Sequence, residues 1–142
     1  TAHGHRAHQG AVGGEMMAWL LVLALTVMQP MTITYYHPSL AGGVMANGEV
    51  YDPSDPTIAA SNDYPLGSLL VVCPTMHVEA ARNDERQETD HLYSPCIIVI
   101  VKDRMRADIH DWVDLSERAF TRLSPLSRGR LEGLVWRIKR EK

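Results

Sequence analysis

The chain has 142 residues, is 45% hydrophobic and carries a formal charge of −3. This is one domain of ordinary size with the apolar content for a real core, and it is not comfortably two. No basic face stands out, which argues against a protein that tracks a nucleic-acid backbone.

The first stretch, TAHGHRAHQGAVGGE, is polar and rich in Gly and His. It can bury little and reads as a disordered tail. His3, His5 and His8 lie close together there, but no carboxylate or Cys completes a site, so no metal is expected. Next comes MMAWLLVLALTVM, residues 16–28, an uncharged run. As a helix it would span about 20 Å, short of the roughly 30 Å hydrocarbon core of a bilayer. That length suits the apolar region of a signal peptide, with an uncleaved membrane anchor as the alternative. A buried core helix is the structural reading of the same run. Residues 1–31 are thus expected to be tail plus export segment, and 32–142 a single extracytoplasmic domain. The domain is expected to be a monomer.

Residues 32–36, TITYY, alternate and are β-branched or aromatic, so they read as a strand. HPSLAGG is a loop, Asn47-Gly48 signals a tight turn, and DPSDP is irregular. TIAAS is short and rich in small residues, and DYPLGS is another turn. Residues 68–73, SLLVVC, form a strand. Residues 74–95 are polar, mixed in charge and bounded by Pro74 and Pro95. They read as a long exposed insertion in a hairpin. Cys73 and Cys96 flank it. In an exported chain an even count favours a disulfide, which would clamp the insertion at its neck. Two free thiols are the alternative.

Residues 96–103, CIIVIVKD, read as an apolar strand buried on both faces. DLSERAFTRLS is the one convincing helix after the export segment. Asp114 or Ser116 can cap it, and Asp114 with Glu117 fits a capping box. Leu115, Ala119, Phe120 and Leu123 make its apolar stripe. In the last strand, 134–139, Leu134, Trp136 and Ile138 share one side. Many short strands with one helix suggest a small closed β-barrel with a packed helix.

Asp103 sits where a buried strand emerges, and Asp114 follows in DLS. Either acid has a plain structural role, in an ion pair with Arg104 or as a helix cap. Together, flanking one loop, they fit a cleft that cleaves glycosidic bonds, where one carboxyl protonates the leaving oxygen and a second steadies charge or activates water. Glu49 is a third candidate acid, or a solvated residue beyond a turn. Tyr35, Tyr36 and Tyr51 suit either a sugar-stacking platform or half-buried packing. The arginines of SERAFTRLSPLSRGR read as a solvated face. No Ser-His-Asp order, phosphate-binding Gly-rich loop or metal-ligand spacing is present.

The blocks TITYYHPSLAGGVMANGEVYDPSDPTIAASNDYPLGSLLVV, IIVIVKDR, DLSERAF and LSPLSRGRLEGLVWRI resemble the rare lipoprotein A (RlpA-like) family over residues 32 to 139. The resemblance implies a six-stranded double-psi β-barrel, shared with expansins, barwin-like proteins and family-45 endoglucanases. It implies lytic cleavage of peptidoglycan glycan strands, notably those stripped of stem peptides, without metal or cofactor. Its acidic positions fall on Glu49, Asp103 (beside Arg104) and Asp114. Asp114, Asp103 and Glu49 would be the catalytic acids, with Asp114 or Asp103 as the proton donor, and Tyr35, Tyr36, Arg104 and Ser61 would bind substrate. The chain departs from the pattern in two places. Ser61 stands where the family carries His, and Met105-Arg106 replace Gly-Pro. His110 and His37 are candidates to stand in for the missing His. The related alternative is a non-catalytic, expansin-like wall-binding module.

Overall fold

A computed structural model of the chain describes residues 28–77 and 93–139. The polar tail, residues 16–27 of the apolar run and residues 78–92 of the insertion lie outside the described residues. Among the described residues no helix is long and apolar enough to cross a membrane.

Among the described residues six strands are present: β1 (Gln29–Tyr35), β2 (Ile58–Ala60), β3 (Leu69–Pro74), β4 (Ile97–Asp103), β5 (Trp112–Leu115) and β6 (Leu131–Ile138). They close into a barrel in the ring order β1-β5-β2-β4-β3-β6. Closure leaves no unpaired sheet edge. Only β3 and β4 are both consecutive in the chain and neighbours in the ring. The pairs β1–β5 and β2–β4 are parallel, and the remaining pairs are antiparallel. A short helix, α1 (Glu117–Thr121), follows β5.

Alternation along the strands fills the barrel. Met31 and Ile33 from β1, Leu70 and Val72 from β3, Val99 and Val101 from β4, Val113 and Leu115 from β5 and Val135 from β6 are buried in one cluster. Phe120 and Ala119 of α1 and Leu123 just beyond it join them. Burying one such aliphatic or aromatic side chain stabilises the fold by about 1.5–3 kcal/mol. A smaller second cluster holds Tyr36, Met45, Tyr51, Ile58 and Ala60.

Several expectations change on folding. β4 is not buried on both faces: Ile97, Val99 and Val101 point into the core, while Ile98 is 54% exposed. In β6 the side bearing Leu134, Trp136 and Ile138 is only half-buried. The core takes Leu131, Gly133 and Val135 instead. Gly133 faces inward because nothing larger fits. A Cβ there would lie 2.6 Å from the Cys73 carbonyl oxygen and 2.7 Å from Ile33 Cδ1. TIAAS, read only as short and rich in small residues, contains β2, and Asp114 and Leu115, read as part of the helix, belong to β5. Asp114 therefore does not cap the helix. Ser116 does, its hydroxyl accepting from the Ala119 amide at 3.1 Å.

The hairpin reading stands. β3 and β4 pair antiparallel, and Cys73 and Cys96 are disulfide-bonded across the insertion with a sequence separation of 23. The Asn47-Gly48 turn also forms, with Gly48 at φ 88° between Val44 and Val50, which pair as an isolated bridge.

Candidate functional site

The two parallel pairs bring the ends of β1, β2, β4 and β5 to one place. Ala60, the last residue of β2, is in register with Asp103 on one side and Asp114 on the other. A register shift creates this rung. Ala59 faces Val101 but Ala60 faces Asp103, so β4 spends Lys102 and Asp103 on a single step of β2. Such a bulge re-aims one side chain. Without it, Lys102 would stand opposite Ala60.

Ala60 offers only a methyl group between the acids, and a groove opens there. It has a volume of about 300 Å³, and Ala60, Asp103 and Asp114 line it together with Tyr36, Arg104 and Ile109. A smaller recess of about 80 Å³ adjoins it, sharing Tyr36, Leu40 and Asp103 and reaching Val44 and Tyr51. One wall is the segment between β4 and β5. Asn62 ties that wall down, donating from Nδ2 to the carbonyls of Arg106 and Ile109 and accepting from the Met105 amide at 3.0 Å. Asp63 accepts from the Asp111 amide at 2.9 Å, where Asp111 takes a left-handed φ of 56°.

Asp103 and Asp114 share the groove but not its chemistry. Asp103 is saturated. Its Oδ2 accepts from the Tyr36 hydroxyl at 2.9 Å, and its Oδ1 accepts from the amides of Ala46 at 2.9 Å and Arg104 at 2.8 Å. Those donors fix it as an acceptor. Asp114 has a single bond among the described residues, accepting at Oδ1 from the Thr34 hydroxyl at 2.9 Å. Burial pushes its carboxyl up to about 6. The negative charge of Asp103 adds to that rise, and the Thr34 bond opposes it. Asp114 therefore holds a proton into weakly acidic solution and presents it in a groove. Those are the requirements of a general acid.

The other candidates fall elsewhere. Glu49 does not line the groove. It sits on the hairpin tip, accepting from the Asn47 amide group at 2.6 Å and pairing with Lys102 Nζ at 3.1 Å. Asn47, and after it Lys102, holds the Glu49 carboxyl below the usual carboxylate range, so it keeps no proton to donate. Tyr35 is not a groove residue either. It packs against Phe120 with ring centroids 4.8 Å apart, and its hydroxyl donates to the Leu126 carbonyl at 3.0 Å. Tyr36 lines the groove, but it is no open stacking platform. It is 4% exposed, and its ring stacks on Tyr51 at 4.2 Å. Burial, and then Asp103, pushes the Tyr36 phenol far above its ordinary value, so it remains a donor.

Ser61 is fully buried and cannot reach a ligand. Its hydroxyl accepts from the Asp63 amide at 3.1 Å. Arg104 lines the groove, yet its guanidinium donates to the carbonyls of Ser61 at 2.5 Å and Tyr64 at 2.6 Å. It braces the turn after β2. His37 caps the 3-10 turn Pro38–Leu40 and His110 pairs with Asp63. Neither lines the groove beside the acids. Among the described residues no group of three or more His, Cys, Asp or Glu is placed to hold a metal ion.

Thr34, Asn62 and Trp112 were not legible as site residues. Thr34 looks like one more β-branched strand residue, and Asn62 like one more turn former. Their partners lie 43 to 80 positions away along the chain, beyond any local pattern.

No protein-family model matches the chain, and no curated protein matches it either. Solved structures do. The Streptomyces papain inhibitor aligns over 80% of this chain and 94% of its own, at 25% identity and a TM-score of 0.52. The apo expansin of Clavibacter michiganensis aligns over 81% of this chain at 18% identity and a TM-score of 0.56. A point mutant of that expansin, in complex with cellohexaose, gives 17% identity and a TM-score of 0.55. This chain is a six-stranded double-psi β-barrel. It spans about half the length of the expansin, 52%, and the likeness to that protein is one of fold.

Proposed function

We propose that this barrel is an extracytoplasmic, wall-glycan-active domain, and that Asp114 is the general acid of a lytic cleavage of peptidoglycan strands. The single observation behind this reading is the state of Asp114. It is a carboxyl that holds its proton to about pH 6, in a groove, on the same rung as a hydrogen-bonded Asp103. The resemblance to the RlpA-like family supports the substrate class. The disulfide supports an oxidising compartment, where such bonds persist.

In the proposed reaction Asp114 gives its proton to the glycosidic oxygen as the bond to the anomeric carbon breaks. The sugar's own 6-hydroxyl then closes on that carbon, and the Asp114 carboxylate takes its proton. The starting protonation state is restored, and no water is consumed. Asp103 stays an acceptor throughout and opposes the positive charge that develops at the anomeric carbon.

Digestion of purified peptidoglycan, with and without stem peptides, tests this reading. Mass spectrometry should find anhydro-muramic ends with the native domain and few or none with Asp114→Asn. Equal yields from the two proteins would remove Asp114 from the mechanism. A second reading is favoured by the buried Ser61 in place of the family's His and by an expansin neighbour that holds cellohexaose. In that reading the groove binds glycan without cutting it, and retention on insoluble peptidoglycan with no released product identifies it.

A further inference from the structure

Three side chains on the face that carries Asp114 form a directed chain. Trp112 and Asp114 are two apart on β5 and so share a face. Thr34 lies on the neighbouring strand, in register with Asp114, and Thr32 is in register with Trp112. The Thr34 hydroxyl oxygen receives a hydrogen bond from Trp112 Nε1 at 2.7 Å and is 2.9 Å from Asp114 Oδ1.

The indole N–H can only donate. The oxygen of Thr34 is thus the acceptor in the first bond, and its one hydrogen is directed to Asp114 Oδ1. An oxygen that accepts there does not carry the proton of the neutral acid. That proton falls to Oδ2, which no hydrogen bond occupies among the described residues. Without the indole donor, the Thr34 hydroxyl could turn and accept from a proton on Oδ1. Arg130 covers the Trp112 ring at 4.6 Å from its centroid, a cation–π contact that holds the indole in place.

We propose that Trp112 is a positioning residue that acts through Thr34 to fix the Asp114 proton on Oδ2, the oxygen free to meet a ligand. The inference concerns the acid alone and holds whether the groove cleaves glycan or only binds it. The charged and titratable groups around Asp114 are Asp103 and Tyr36 across the groove, Tyr51 in the adjoining recess, Arg104 and Arg106 along the wall, and Arg130 over the Trp112 ring. The substitutions below change none of them.

The test is a double-mutant cycle read by NMR titration of the Asp114 side-chain carboxyl. Thr34→Val removes the donated bond and should raise the Asp114 pKa by about one unit. Trp112→Phe keeps a ring but loses the N–H. It should raise the pKa by roughly half as much, because the neutral acid gains a partner. In the Thr34→Val background Trp112→Phe should add nothing, and Thr34→Ser should restore the native value. A wild-type measurement needs no substitution: the Trp112 indole N–H resonance should shift with the same midpoint as Asp114. An Asp114 pKa indifferent to Trp112→Phe, an effect that persists without Thr34, or an indole resonance blind to the Asp114 titration would each overturn the proposal. Because none of these readouts involves glycan, the proposal can fail while the lytic reading stands, and the reverse.

Discussion

Asp103 and Asp114 occupy one rung of the barrel, on either side of Ala60. They belong to β4 and β5, consecutive strands that are not neighbours in the ring because β2 lies between them. With strands about 4.8 Å apart, the two acidic backbones are separated by roughly 10 Å, and the Ala60 methyl leaves that space open. The rung explains how acids of opposite character coexist. Asp103 collects three donors, while Asp114 keeps one oxygen free of hydrogen bonds among the described residues.

Asp114 makes stability fall as pH rises. Its pKa is about 6 in the folded chain against 3.8 for an unperturbed Asp. Between those two values the native state holds a proton that the unfolded state has lost, so unfolding free energy declines through that window and levels off above it. The full difference is on the order of 2–3 kcal/mol. Asp114→Asn keeps an acceptor for Thr34 and carries no charge. It should raise the melting temperature above pH 6 and change it little below pH 4. Parallel melting curves for the two proteins across pH would contradict this.

The same proton sets the pH profile of the proposed lytic activity. Above about pH 6 the acid form of Asp114 declines tenfold per pH unit, and kcat/KM should decline with it. Initial rates of anhydro-muropeptide release between pH 5 and 8 measure this. A rate that climbs across that range would identify a different proton donor.

Tyr36 holds Asp103 in place. Tyr36→Phe keeps the stack on Tyr51 but deletes the hydrogen bond to Asp103 Oδ2. The expected loss is roughly 1.5–3 kcal/mol, the range for a hydrogen bond to a charged acceptor. Urea denaturation reads it as a lower midpoint at unchanged slope.

The disulfide closes the β3–β4 hairpin across an insertion that contributes no strand among the described residues. Removing it, as Cys73→Ala with Cys96→Ala, should cost about 3 kcal/mol by releasing loop entropy to the unfolded chain. Equal melting temperatures with and without reductant would show that the strand pairing alone fixes the register.

Gly133→Ala tests the inner wall. Its added Cβ would meet a backbone carbonyl that cannot rotate away, as well as Ile33. Overpacking of this kind costs about 1–3 kcal/mol. Differential scanning calorimetry should show the loss, and a neutral result would mean that β3 and β6 separate more easily than their pairing indicates.

Strands whose inward residues are large and β-branched were legible in advance: β1, β3 and β4 announce themselves in TITYY, SLLVVC and CIIVIVKD. β2 and β5 were not. Each is three or four residues long and draws its pairing wholly from distant segments. IAA carries no strand pattern of its own. WVDL was hidden by a following Ser and Glu that look like a helix start. The Tyr pair misled in the opposite way. Adjacent aromatics on a strand point to opposite faces, so Tyr35 went to the helix and Tyr36 to the second cluster.

Hydrophobic alternation, turn residues and Cys spacing are local signals, and they were enough to suggest a small closed barrel, to favour a disulfide at the neck of the hairpin and to single out a few acids. Which acids lie together emerged on folding. Parallel pairing and a one-residue bulge put Asp103 and Asp114 beside Ala60 and left Glu49 on a hairpin tip. Proton affinity depends on burial and on neighbours across the ring, and neither is written in the order of residues along one strand.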